Sequence, residues 1–184
     1  MTLLKIARMG HPVLITKAEP VPDPTAREIR ELADSMVETM TDAHGVGLAA
    51  PQVHIGKRVI VFLAPEERAA GEAPTDVAPL TALVNPTWEP LEEETVLGWE
   101  GCLSIPGLSG AVPRYKRIRY QGLTPQGQPV EREATGFHAR VVQHECDHLD
   151  GVLFLMRMTD FRLIGFNEEL RQYMMKPEAE TPPE

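Results

Sequence analysis

The segment His144-Glu145-Cys146-Asp147-His148 constrains this chain more than any other feature. Four residues along a helix make about 400° of rotation, so on a helix His144 and His148 share one face, one turn apart. Two imidazoles so placed can chelate one ion, while Glu145, offset by about 100°, can reach a water on that ion without ligating it. The surroundings read as helix independently: Phe137, Val141, Val142 and Leu149 form an apolar stripe that begins near Ala134 and is stopped by Asp150-Gly151. A fold built on this segment must bring a third ligand from elsewhere, because a catalytic ion keeps three protein ligands and one open position.

Three candidates exist for that ligand. The extended pattern H-E-x-x-H-x-x-G-x-x-H is followed as far as Gly151, but Phe154 stands where its last His belongs. A downstream carboxylate would be Glu168, which with Glu169 also reads as the solvated face of the last helix. Cys102, in Glu100-Gly101-Cys102-Leu103-Ser104, sits among Gly98, Gly101, Pro106 and Gly107, where a thiolate can project from a turn into a cleft. Two His with one Cys is an attested catalytic set. Cys146 lies about 200° round the helix from His144 and reads as a small buried hydrophobe. Spacing alone leaves Cys102 and Glu168 open.

The rest of the chain bounds the fold. At 184 residues, 42% hydrophobic and 24% charged, residues 1–175 fit one globular domain, and the acidic, Pro-rich 176–184 should be disordered. Eighteen Lys and Arg against 27 Asp and Glu leave −9, which argues against nucleic-acid binding, sequence-specific or general. The longest apolar run, Val59–Ala64, is six residues, whereas a bilayer span needs about 20. No secretion signal precedes Arg8, and two cysteines make no disulfide framework, so the expectation is a cytoplasmic protein without membrane attachment.

A helix is expected over 25–43, with Asp23 as cap, Pro24 at its start, and Ile29, Leu32, Ala33, Met36, Val37 and Met40 as its stripe. His44-Gly45 ends it, with Gly as the left-handed stop. From 46 to 133 the runs 58–63 and 117–121 are β-prone, and 123–128 signals a hairpin. Residues 65–80 read as a surface loop, and Arg114, Lys116, Arg117 and Arg119 as one face of a strand. A third helix is placed between Asp160 and Met174. The sum is an α+β fold, with antiparallel strands packed around a central H-E-x-x-H helix, an N-terminal helix and a C-terminal helix. After the first helix comes Gly45-Val46-Gly47-Leu48-Ala49-Ala50-Pro51-Gln52, which lacks the Lys-Ser/Thr of a phosphate loop. Its backbone can approach a ligand closely, and Gln52 offers a neutral amide donor.

These three motifs, in this order and spacing, resemble the signature motifs of peptide deformylases, and the resemblance runs from Gly10-His11-Pro12-Val13-Leu14 through Gly151-Val152-Leu153-Phe154. It implies a hydrolase that removes the formyl group from formyl-methionyl nascent peptides, with transient ribosome contact as a further expectation toward which the acidic tail offers nothing basic. It implies one divalent ion, natively Fe²⁺ and replaceable by Zn²⁺, Ni²⁺ or Co²⁺, on Cys102, His144 and His148, which returns Glu168 to the surface. Glu145 takes the acid/base role, the Gln52 amide and Leu103 N–H contact the oxyanion, and Gly45, Val46 and Gly47 bind substrate backbone. Val141, with Val46 and Leu103 opposite, is a reasonable wall for the methionine side chain. Glu100 and Arg114 flank the Cys102 turn, and an ion pair between them would fix it. Cys146 departs from the Met common in the family; both are soft and apolar, which points to packing.

Overall fold

A computed structural model describes residues 3–69 and 74–173; the 176–184 tail and its expected disorder lie outside the described residues. The first helix, α1 (Arg27–Asp42), falls within two residues of its expected limits and buries Ile29, Leu32, Ala33, Met36 and Met40. Its ends are built differently from the sequence expectation. Asp23 accepts from the Thr25 N–H at 2.9 Å, closing a turn ahead of the helix, and Ala26 takes the cap position. At the other end His44, not Gly45, adopts the left-handed conformation (φ 54°), and the Gly45 N–H donates to Met40 O at 2.9 Å. Gly45 is small for another reason: a Cβ there would stand 2.9 Å from Leu103 Cδ1.

Among the described residues eight strands follow, all antiparallel within two sheets. β1 (Gly47–Ala49), β2 (Val59–Ala64), β3 (Ala78–Pro90), β6 (Arg117–Leu123) and β7 (Pro129–Thr135) form a five-stranded sheet in the order β1-β2-β3-β6-β7. β4 (Thr95–Cys102), β5 (Ile105–Tyr115) and β8 (Ile164–Phe166) form the second, in the order β4-β5-β8. The hairpin expected at 123–128 joins β6 to β7. Of the segment read as a surface loop, residues 70–73 lie outside the described residues, and β3 already begins at Ala78. The basic run is not one strand face. It spans the β5–β6 turn, and Arg114 points inward at 5% exposure while Arg117 and Arg119 pair with Glu133 outside.

β2 explains why its sequence is uninterruptedly apolar. Val59 and Val61 pack with Met36, Met40 and Leu48 on the α1 side. Ile60 and Phe62 pack with Ala139, Val142, Cys146 and Leu149 of α2 (Gly136–Leu149) on the other. A strand covered on both faces has no solvent side to make polar, and each such side chain contributes ~1.5–3 kcal/mol by burial.

α2 starts two residues later than expected because Ala134 and Thr135 still belong to β7. Eleven of its fourteen residues are buried, including His138, Gln143, His144, Glu145, Asp147 and His148, so its polar groups must find partners inside the protein. His138 does so with Thr75 O at 2.8 Å and Tyr120 Oη at 3.1 Å. Gly151 ends the helix region at φ 72°, and a Cβ there would meet the Ile15 carbonyl carbon at 2.8 Å. The third helix is shorter than the segment assigned to it. A 3-10 turn (Phe161–Leu163) and β8 come first, and α3 occupies Asn167–Tyr173. No helix among the described residues is long and apolar enough to cross a membrane.

Candidate active site and metal centre

The last two turns of α2 carry His144, Glu145 and His148, and the end of β4 carries Cys102. The β4–β5 register shifts between Gly101 and Cys102, which breaks the ladder where the cysteine must leave it. One ligand atom from each of Cys102, His144 and His148 lies within 4.8 Å of the others, and Cys102 Sγ is 3.3 Å from His148 Nε2. Donors held ~2.0–2.3 Å from one ion in a tetrahedron stand about 3.3–3.6 Å apart, so the set fits a small divalent cation. Glu168 is exposed on α3 and belongs to no such cluster among the described residues.

Charge in the centre is arranged to favour a cation. Burial alone would raise the Cys102 thiol, but the His148 and His144 imidazoles beside it pull its pKa well below the ordinary value. Burial likewise opposes a charge on His144, yet the Cys102 sulfur and the Glu100 carboxylate lift its pKa well above the ordinary value. The site thus prefers sulfur as an anion with positive charge next to it. Glu145 is different. Burial pushes its carboxyl up to about 7, against the pull of His144 and His148. Its Oε2 and the Nδ1 of His148 have no partner within the protein, the only such buried side-chain atoms among the described residues. An orphaned carboxylate oxygen beside three metal-type donors is what a centre arranged around a further group presents.

The orientation of His144 is fixed from behind. Its Nδ1 donates to Glu100 Oε2 at 2.8 Å, which leaves Nε2 for the centre. Glu100 is itself held by Arg114, with Nε to Oε1 at 2.8 Å and Nη2 to Oε2 at 2.9 Å, so the expected pair forms. Arg114 also donates to Asp147 Oδ2 at 2.6 Å, and Asp147 accepts from Arg157 at 2.8 Å. Arg140 completes the network, donating to Glu100 Oε1 at 2.9 Å and to three β4–β5 carbonyls, those of Val96, Gly98 and Val112. Sequence reasoning missed Arg140, Asp147 and Arg157. Arg140 carried a signal, since it lies four residues before His144 and shares its face of the helix. Asp147 carried no such signal, since its sequence neighbours are Cys146 and His148 and only the fold buries it beside Arg114 and Arg157.

Gln52, in a 3-10 turn after β1, is 1% exposed. Its Oε1 accepts from Ala49 N–H at 2.8 Å, which aims Nε2 at Ser104 Oγ (3.2 Å) and Cys102 Sγ (3.4 Å). A cleft of about 630 Å³ opens over the centre. Gly45, Val46, Gly47, Gln52, Glu100, Cys102, Leu103, Val141, His144 and Glu145 line it, whereas His148 and Arg114 are buried behind it. Gly47 touches Glu145 so closely that an added Cβ would stand 2.6 Å from the Glu145 Cδ. Cys146 is 2% exposed in the core between α2 and the large sheet, away from the cleft.

Antiparallel sheets with three helices among the described residues, a Cys/His/His cluster that could hold a metal and a buried carboxylate facing a cleft define a metallohydrolase-type protein. The comparison with known proteins narrows this class. A family model described as polypeptide deformylase matches residues 3–163. Peptide deformylase 1 of Bordetella pertussis is 51% identical over 165 residues, covering 90% of this chain and 93% of that relative. Among solved structures, the peptide deformylase of Ehrlichia chaffeensis in complex with actinonin superposes with a TM-score of 0.80 at 36% identity, covering 88% of this chain and 92% of that one. The Met-Ala-Ser-bound class I type b peptide deformylase of Acinetobacter baumannii gives 0.74 at 40% identity, covering 85% and 100%. The chain belongs to the polypeptide deformylase family.

Proposed function

We infer how this chain carries out its family's reaction, hydrolysis of the formyl group on the N-terminal formyl-methionine of newly made proteins with release of formate. Cys102, His144 and His148 hold one divalent ion, with α2 as the central carrier of the reactive groups. One thiolate and two imidazoles suit Fe²⁺, Zn²⁺, Ni²⁺ or Co²⁺, and the family resemblance favours Fe²⁺. When bound, such an ion supplies Lewis acidity, which makes water nucleophilic near neutral pH and polarises a carbonyl.

Glu145, poised by burial with a pKa of about 7, takes the proton of the attacking water and delivers it to the departing amine. The Gln52 amide and the Leu103 N–H donate to the formyl oxygen as negative charge builds on it. Losing one such donor costs about 10²–10³ in turnover, and a carboxylate at position 52 would repel that oxygen. Gly45, Val46 and Gly47 bind the substrate backbone. Val46, Leu103 and Val141 enclose the methionine side chain. Glu100, held by Arg114 and Arg140, keeps His144 in its ligating tautomer. Residues 1–175 act as one catalytic unit in the cytoplasm.

The observation that carries this reading is the orphaned Glu145 Oε2 beside three clustered donors. Glu145→Gln tests it. The variant should keep its metal and lose hydrolysis of formyl-Met-Ala by at least about 10²-fold. Near-parental turnover in a metal-replete variant would remove Glu145 from the acid/base role.

A further inference from the structure

Two side chains at the cleft have no part in the reaction just described. Arg68 sits on the 3-10 turn Glu66–Arg68 after β2, its guanidinium carbon 4.9 Å from the centre of the Phe137 ring. Arg171 lies in the last turn of α3. Both line the substrate cleft, and neither forms an ion pair among the described residues.

Their neighbours in sequence behave oppositely. Glu66, Glu67, Glu168 and Glu169 are exposed, and none of them lines the cleft. On each segment the cation turns toward the cleft and the anions turn away. The two carboxylates that do line it, Glu100 and Glu145, are buried, and Glu100 is saturated by Arg114, Arg140 and His144. In a chain of net charge −9, the exposed charge at the described mouth of this cleft is therefore positive.

A formylated N-terminus carries no charge of its own, so any selection by charge must act on side chains further along. An extended peptide advances ~3.3 Å per residue, so the side chains that follow methionine leave the centre toward the cleft mouth. Clefts lined by one sign of charge focus their field and raise the local concentration of the opposite charge.

We propose that Arg68 and Arg171 form a cationic rim that selects substrates carrying Asp or Glu in the first few positions after formyl-methionine, and disfavours those carrying Lys or Arg there. This rests on the deformylase reading of the cleft and deepens it. The aromatic face under Arg68 restrains that guanidinium at the rim, which lowers the entropy lost when an acidic side chain pairs with it.

The experiment uses the full chain, metal-loaded, and three C-terminally amidated peptides: formyl-Met-Ala-Ser-Ser and its Asp-Asp and Lys-Lys counterparts at the last two positions. An exposed ion pair is worth up to about fivefold. With two arginines, kcat/KM for the acidic peptide should exceed that for the basic one about tenfold at low salt, mostly through KM. The ratio should shrink as salt rises from about 20 to 300 mM, where the Debye length falls below ~10 Å. In the double variant Arg68→Gln/Arg171→Gln the acidic-to-basic ratio should approach one, while Arg68→Lys/Arg171→Lys should retain it, because charge is kept. A ratio near one in the parent, or an unchanged ratio in the Gln variant, overturns the rim. If the Ser-Ser peptide is hydrolysed and charge makes no difference, only the rim fails. If it is not hydrolysed at all, the deformylase reading and the rim fall together.

Discussion

Gly47→Ala tests whether the glycine-rich turn exists to seat Glu145. The new Cβ would stand 2.6 Å from Glu145 Cδ and 2.9 Å from its Cγ, well inside contact distance. Neither partner has room to yield. Glu145 is 4% exposed in α2, and Gly47 is paired with Phe62 in the β1–β2 ladder. Overpacking of this kind costs ~1–3 kcal/mol. For a protein of this size each kcal/mol lowers Tm by about 2–4 °C, so the expected fall is roughly 2–12 °C. The effect on turnover should be larger in proportion, because a catalytic group displaced by about 1 Å can lose 10²-fold in rate. The assay is kcat on formyl-Met-Ala with metal content measured in the same sample, and Tm by circular dichroism. Gly45→Ala is the comparison: its Cβ meets the flexible tip of Leu103, which can rotate, so its Tm should fall less. A Gly47→Ala variant with full metal content and kcat within about twofold of the parent would refute the close-approach argument.

Two further outcomes follow from other parts of the fold. Burial lowers the pKa of His138 to about 4, partly offset by its bond to Thr75, while the unfolded chain keeps an ordinary value near 6.5. The unfolded state therefore binds the proton first, and stability present above pH 6.5 is lost as pH falls toward 4. By pH 5 the loss is on the order of 2 kcal/mol, and urea titrations at pH 7 and pH 5 should show a smaller difference in His138→Gln than in the parent; equal differences would count against it. Val141→Phe should raise KM for formyl-Met peptides, since Val141 lines the cleft at 5% exposure, and an unchanged KM would take it out of the methionine pocket.

Much of the centre could be read from local spacing. His144 and His148 share a helix face by the arithmetic of 3.6 residues per turn, and no tertiary contact is needed to place them together. The choice of Cys102 over Glu168 could not be made that way. His144 lies 42 positions after Cys102, and the bulge that aims Cys102 at the histidines arises from pairing between β4 and β5. The sequence likewise suggested that Glu100 and Arg114 would meet, because both flank the Cys102 turn, but it placed Arg140 only on the helix face of His144 and gave no partner for it. That side chain reaches from α2 across to carbonyls of β4 and β5, a contact between elements with no common period.

The α1 cap and the third helix show where local signals are outweighed. Asp23 and Pro24 make a plausible helix start, yet Asp23 spends its carboxylate on a preceding turn. Residues 164–166 carry no strong strand signal, and they become β8 only because the free edge of β5 offers Leu108, Ser109 and Gly110 as partners.

The existence of α1 and α2, their apolar stripes and the paired imidazoles follow from the order of residues alone, since each depends on neighbours within a turn or two. Tertiary structure decided what no local rule reaches: the sulfur that joins the imidazoles, the four hydrogen bonds that saturate Glu100, and the burial that brings Glu145 to a pKa of about 7. The physical reason is that desolvation and ion pairing depend on distance in space, and only tertiary packing sets those distances.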